Sequence, residues 1–287
     1  MSTTLSTPDA ALAAAIKAAP GFGERRFGAV NWLGLWTLTA KEIRRFMKVA
    51  FQTIVAPVIS TILFLVVFMQ AFGQTRAAVH GVPYPEFLAP GLIMMAVLTN
   101  AFANSSSSLI IGKVQGSIVD VLMPPLSASE LTVAFVVGAA ARGLLVGVVT
   151  AGTSAAFMAF SPSPMHFAVP WAIAYFGLAA ALMFGMIGVI GGIWAEKFDQ
   201  MAAVTNFVIT PLTFLSGTFY AISSLPEPFL SASRFNPVFY LIDGFRYGFT
   251  GAHEAPLFIG FLFTMGINVV LAAWCYLMLK SGYRLKS

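Results

Sequence analysis

Long apolar runs separated by short polar joints dominate the chain. Six stand out: Phe51–Phe72, Phe87–Ile111, Leu131–Phe160, Val169–Trp194, Met201–Tyr220 and Pro256–Leu279. Each reaches the roughly 20 residues that carry a helix across about 30 Å of hydrocarbon. The third is long enough to cross at a tilt. The pattern predicts six transmembrane helices. Residues 31–48 follow a different rule. Trp32, Leu35, Trp36, Thr39, Ile43, Phe46 and Met47 recur at helical spacing, and Lys41, Arg44, Arg45 and Lys48 form a second stripe. Glu42 lies in the same stretch. This is an amphipathic helix with Trp on its apolar face and bases on its polar face. Such a helix lies in the membrane interface rather than crossing it. A soluble core helix does not fit, because no soluble domain follows.

The joints are unequal. Residues 1–30 are small or polar, with Pro20-Gly21 and Arg25-Arg26, and suit a loosely ordered tail. Gly116–Glu130, GSIVDVLMPPLSASE, holds two acids, Asp120 and Glu130, and the pair Pro124-Pro125. It predicts a short helix over Gly116–Met123 and a rigid turn into the third span. An ordinary loop is the competing reading. The connection 221–255 is long yet aromatic, with Phe229, Phe235, Phe239, Tyr240, Phe245, Tyr247 and Phe249. Asn236-Pro237 suits a helix start, a cap followed by Pro at the first helical position. Gly248 and Gly251 suit its end. This region predicts short re-entrant helices in the outer leaflet. Irregular backbone at that depth must be buried in protein or line a wet cavity. The fold class is therefore an all-α integral membrane protein. An interfacial helix precedes six spans over 51–287, and re-entrant outer helices lie between spans five and six.

Composition supports this class. Hydrophobic residues make up 58% of the 287, and charged residues only 9%. Mean hydropathy is +0.84. Soluble domains carry about 25% charged residues, so too few remain here to coat a water-facing surface. The formal charge of +5 does not point to nucleic acid; its placement matters more. Lys17, Arg25, Arg26, Lys41, Arg44, Arg45, Lys48, Lys113, Lys197, Lys280, Arg284 and Lys286 share one side if both termini are cytoplasmic. Arg76, Arg234 and Arg246 then lie outside and Arg142 within a span. Lys and Arg concentrate on the cytoplasmic side, so an even number of spans is expected. Cys275 is the single cysteine, which leaves no intrachain disulfide. No basic stretch precedes a clean apolar core at the start, so a cleaved signal peptide is not expected.

Chemistry-bearing motifs are sparse. The chain has no GxxxxGK[ST] phosphate loop. His80, His166 and His253 fall singly in outer loops, and no Ser-His-Asp set or metal-ligand cluster is apparent. The acids gather at ends and loops, which argues against a proton-driven carrier with carboxylates inside its spans. Arg142 is the clear charge at depth, about 18 Å along a helix from Glu130 at 1.5 Å per residue. Asn100, about 17 Å from the same surface, can meet it, and Asn104 lies nearby. Arg142 is either an internal brace or a contact for an anionic substrate group. Gly143 and Gly147, and Gly188 and Gly192 with Gly185, allow close packing within the bundle or across a dimer. Ser105–Ser108 either line a wet vestibule or bond their own helix.

Several stretches, taken together, resemble the membrane subunit of ABC-2-type ATP-driven exporters. They are the basic helix from Trp32, PGLIMMAVLTNAF at Pro90–Phe102, and GSIVDVLMPPLSASEL at Gly116–Leu131. LSGTFYAISSLP at Leu215–Pro226, with Gly217 and Tyr220, and NPVFYLIDGFRYG at Asn236–Gly248, with Pro237, Asp243 and Arg246, complete the match. The resemblance covers nearly everything from Trp32 onward. Val119 departs from the family, standing where an acid is common and leaving Asp120 as the principal acid. The resemblance implies a homodimeric permease of the inner membrane, joined to two separate ATPase subunits. Those partners would bind ATP and Mg, with no cofactor in this chain. Their movement would enter through Gly116, Val119, Asp120, Met123, Pro124, Pro125 and Glu130, helped by the interfacial helix. The substrate would be a lipid, a lipid-linked saccharide or polysaccharide, or a drug, moved outward. An ion-coupled secondary transporter and a non-transporting membrane scaffold are the competing functions.

Overall fold

The computed structural model describes residues 28, 30–72, 78–79, 81–160 and 164–284. Lys17, Arg25, Arg26, Arg76, His80 and Lys286 lie outside them, as does almost all of the expected tail. The described residues are helical, apart from turns and one isolated bridge between Val79 and Val82.

Helix α1 spans Trp32–Met47, α2 Ala50–Phe72 and α3 Tyr84–Val114. A five-residue α4, Ile118–Leu122, leads to α5, Ala128–Met158, and α6, Pro170–Trp194. Helix α7, Phe198–Val204, continues through a π turn, Thr205–Ile209, into α8, Thr210–Phe214. A 3-10 turn at Ile222–Ser224 precedes α9, Phe229–Phe235, α10, Pro237–Thr250, and α11, Leu257–Ser281. Among the described residues five helices, α2, α3, α5, α6 and α11, are long and apolar enough to cross a membrane.

The run Met201–Tyr220 does not form the expected single long helix. It forms a helical path from Phe198 to Phe214 interrupted by a π turn, Thr205–Ile209, and that path stops at Leu215. Pro211 has no N–H to give, so a regular ladder cannot pass through it. Threonine hydroxyls add bonds to carbonyls of the same stretch. Thr210 Oγ1 donates to Thr205 O at 3.0 Å and Thr218 Oγ1 to Thr213 O at 2.9 Å. Gly217, at φ +76°, then reverses the chain.

Helix α3 is the axis of the bundle. Of its most apolar window 78% is buried, against 11% for α2 and for α11. Apolar side chains gain little by leaving lipid for protein, so helices in membranes associate through close contact. Glycine provides it here. A Cβ on Gly143 would stand 2.9 Å from Val97 O, and one on Gly147 2.5 Å from Val97 Cγ2. A Cβ on Gly188 would stand 2.5 Å from Phe102 O, and one on Gly192 2.9 Å from Leu109 Cβ. Both glycine pairs therefore close on α3 within one chain. Gly185 packs against Ala139 of α5.

The buried side chains form three clusters along the bundle. Ile93, Val97, Phe102, Phe176, Met183, Leu241 and Phe245 belong to the central one. Leu38, Ile118, Leu131, Phe135, Ile193 and Leu279 gather at the α1 end. Tyr84, Phe87, Leu88, Met158 and Phe219 gather at the other.

Gly188→Leu should destabilise the protein by at least about 1–3 kcal/mol, the usual cost of overpacking a dense site. Gly152→Leu, where an added Cβ meets nothing within 4 Å, should leave thermal unfolding in detergent nearly unchanged.

Candidate functional site

The connection from α3 to α5 is a small protrusion with firm roots. Gly116, at φ +72°, breaks the helix after Val114. The expected helix over Gly116–Met123 is trimmed to Ile118–Leu122, with Met123 as its C-cap. Ile118 is buried and anchors it. Asp120, Pro124 and Pro125 are exposed, and so are Val119 and Met123, at 53% and 77%.

Glu130 does not belong to that exposed surface. It is buried and closes a capping box. Ser127 N–H donates to Glu130 Oε2 at 2.6 Å, and Glu130 N–H donates to Ser127 Oγ at 3.3 Å. SxxE before an apolar run is itself the sequence signal for this cap. At the other root, Lys113 Nζ donates to the carbonyls of Gly192, Ile193 and Ala195 at 3.1, 2.6 and 2.6 Å. A cation there complements the open C-terminus of α6. Sequence reasoning treated Lys113 only as part of the charge bias.

Helix α1 packs closely on α5 at Gly138 and bonds to α3 through a polar node. Glu42 is 1% exposed. Its carboxylate accepts from Arg45 Nε and Nη2 at 3.3 and 3.2 Å, and from Ser108 Oγ at 2.8 Å. Arg45 Nη2 also donates to Asn104 O at 2.6 Å and to Asn104 Oδ1 at 3.0 Å, and Nη1 to Ser107 Oγ at 3.2 Å. Gly138 of α5 makes room, since a Cβ there would lie 2.6 Å from Glu42 Cβ. Arg45 therefore turns inward and leaves the solvated stripe expected of it. Lys41 and Arg44 are exposed. Trp32 and Trp36 are exposed too, at 72% and 69%, while Leu38, Thr39 and Phe46 meet the bundle. The apolar surface is thus split between a buried face and an open one. The sequence did hold a signal: Glu42 falls inside the repeat Leu35, Leu38, Glu42, Phe46.

Further along α3 and α5, Arg142 Nη2 donates to Asn100 Oδ1 at 3.4 Å. The structure brings these two together and gives Asn104 to Arg45 instead. Ser105 and Ser108 bond other helices, Ser105 through Gly185 O at 2.7 Å, whereas Ser106 bonds its own.

The opposite end is held by a second buried cation. Arg246 donates from Nε to Phe87 O at 3.0 Å and from Nη2 to Gly217 O at 2.7 Å, and stacks 3.7 Å above the Phe87 ring. It ties α10 to α3 and to the turn after α8. Asn236 caps α10 through Val238 N–H at 3.0 Å, reaches Leu212 O at 2.8 Å, and is followed by Pro237 at the first helical position. Gly251 ends the helix at φ +72°. Gly248 lies inside it, against Ile173. Asp243 accepts from Glu254 N–H at 2.9 Å and Ala255 N–H at 2.9 Å. Burial pushes its carboxyl above the ordinary carboxylate range, against those N–H groups, Arg246 and His253. Tyr220 Oη donates to Phe214 O at 3.0 Å.

Gly138→Ala should push α1 off α5 and cost about 1–3 kcal/mol on thermal unfolding, as an overpacked contact does. Gly266→Ala, in open space on α11, should be neutral or slightly stabilising.

Known proteins match this chain over the same elements. The family described as ABC-2 type transporter matches residues 34–250, from α1 to the end of α10. The inner membrane transport permease YadH of Escherichia coli K12 is 37% identical over 256 residues, covering 89% of this chain and 98% of its own. Nodulation protein J of Rhizobium leguminosarum bv. viciae is 28% identical over 222 residues, covering 76% and 82%. That of Rhizobium meliloti is 24% identical over 218 residues, covering 75% and 80%. The chain is a membrane permease and belongs to the ABC-2 type transporter family.

Proposed function

We propose that this permease is the membrane subunit of an ATP-driven exporter in the cytoplasmic membrane. It acts as a homodimer with two ATPase subunits, which bind ATP and Mg and drive it from the cytoplasmic face. The observation that carries this reading is the α4 protrusion. Val119 and Met123 expose apolar side chains beside Asp120, a combination that suits a groove on a soluble partner. An apolar anchor with a polar rim is the usual build of a protein interface. The roots of the protrusion make it stiff. Lys113 fixes the α3 side to α6, and Ser127 with Glu130 fixes the α5 side. Force applied at Met123 then moves three long helices rather than a loop. With α7–α8 as a sixth crossing, both termini lie in the cytoplasm, as the placement of Lys and Arg favours. The helices between α8 and α11 form a re-entrant outer region. The cargo is hydrophobic or amphipathic and leaves the cell.

Met123→Asp should weaken association with the ATPase subunit by about tenfold or more, as expected for an interface anchor, and lower substrate-stimulated hydrolysis in the purified complex. Phe235→Asp, 82% exposed at the far end, should leave association unchanged. Unaltered binding and coupling in Met123→Asp, Asp120→Ala and Pro124→Ala would place the ATPase contact elsewhere.

A further inference from the structure

A groove opens between α2 and α3, part-way along both helices. Ser60, Thr61 and Phe64 form one wall, and Leu92, Thr99 and Asn100 the other. Its volume is about 260 Å³. A single water needs about 10–15 Å³ of such space, so the groove has room for a headgroup and the start of a chain. The rest of α2 presents apolar side chains outward, with Ile59 and Leu63 at 60% exposure. An acyl chain can lie along them while its headgroup enters between the helices.

The chemistry of the polar wall indicates the sign of that headgroup. Asn100 lines the groove and holds Arg142 through its Oδ1 at 3.4 Å. Arg142 lies near the middle of α5, one of the five long apolar helices. Among the described residues no carboxylate lies within ion-pair distance of it. Its Nε is buried and has no hydrogen-bond partner. The contrast with Arg45 is direct, because Arg45 has Glu42. A guanidinium inside a membrane is costly unless it is paired or functional, and this one lacks both a counter-charge and a full set of acceptors. Ser60 Oγ and Thr99 Oγ1 donate to Ala56 O at 2.9 Å and Met95 O at 2.8 Å on their own helices. Both can turn into the groove, since those carbonyls also serve the helix ladder.

We propose that this groove binds the anionic headgroup of an amphiphile, with Arg142 as counter-charge and Asn100 as the residue that presents it. The ligand class is a phosphate or similar monoanion carrying an alkyl chain. The inference deepens the export reading by naming the charge of the cargo, and rests on it for the step after binding. Binding itself needs no ATPase, so its failure and the failure of the export reading are separable.

The test uses the full chain, purified in a neutral maltoside detergent, with hexadecyl phosphate, hexadecanol and inorganic phosphate as probes. Wild type should bind hexadecyl phosphate about tenfold more tightly than hexadecanol, the scale of one charge-assisted hydrogen bond. Inorganic phosphate at equal concentration should not compete. Arg142→Gln should abolish the preference, and Arg142→Lys should keep part of it. Asn100→Asp gives Arg142 a carboxylate in place, with almost no change of volume, and should abolish the preference even if Arg142→Gln fails to fold. Equal binding of phosphate and alcohol by wild type would overturn the proposal. So would a preference that survives Asn100→Asp, or full competition by inorganic phosphate, which would show a site for the free anion.

Discussion

The ion pair of Glu42 and Arg45 is the contact on which the α1 end of the structure depends. A carboxylate with almost no solvent exposure is tolerable only when its charge and lone pairs are met. Here one cation and one serine hydroxyl meet them, and the cation is itself held by Asn104 and Ser107 of α3. Helix α1 therefore cannot slide past α3 without stranding a buried charge. The glycine at 138 lets the backbones come close enough for these bonds to form. Charge and close packing enforce each other at this point.

The same two devices recur through the bundle. Close approach at Gly143, Gly147, Gly188 and Gly192 brings α5 and α6 against α3. Long cationic side chains then tie the ends, Lys113 at the termination of α6 and Arg246 between Phe87 and Gly217. Each satisfies backbone carbonyls, some of which no helix ladder uses. The α4 protrusion inherits this stiffness. Its tip is exposed, and its two roots belong to helices that cannot move independently. Such an arrangement lets a push at one end reach the glycine-packed centre without being absorbed in a loop.

Much of this was legible in the sequence. Helical spacing placed α1 to within a residue or two, and the apolar runs located the five long helices. Asn236-Pro237 marked the start of α10, and helix rise brought Arg142 to Asn100. The misses share a physical origin. Met201–Tyr220 has the composition of a span, but a π turn at Thr205–Ile209 and Pro211 interrupt its regular α ladder, and composition is blind to that. Glu130 belongs to the coupling stretch in sequence and Glu42 to the interfacial helix; the fold makes one a cap and the other an internal counter-ion. Arg45 shared a stripe with Lys41 and Arg44, yet its partners sit on α3, and no local pattern reveals them. The glycine pairs allowed a seam within the chain or between chains, and only the fold distinguishes the two.

The measurement that bears most directly on this picture is a double-mutant cycle on Glu42→Gln and Arg45→Gln, read by thermal unfolding in detergent. Two groups that share one buried node should show a coupling of about 1–3 kcal/mol, with the double variant far less damaged than the sum of the single ones. Additive losses, or single variants with wild-type stability, would mean that α1 is held by apolar packing alone and that the charged node does not lock it to the bundle.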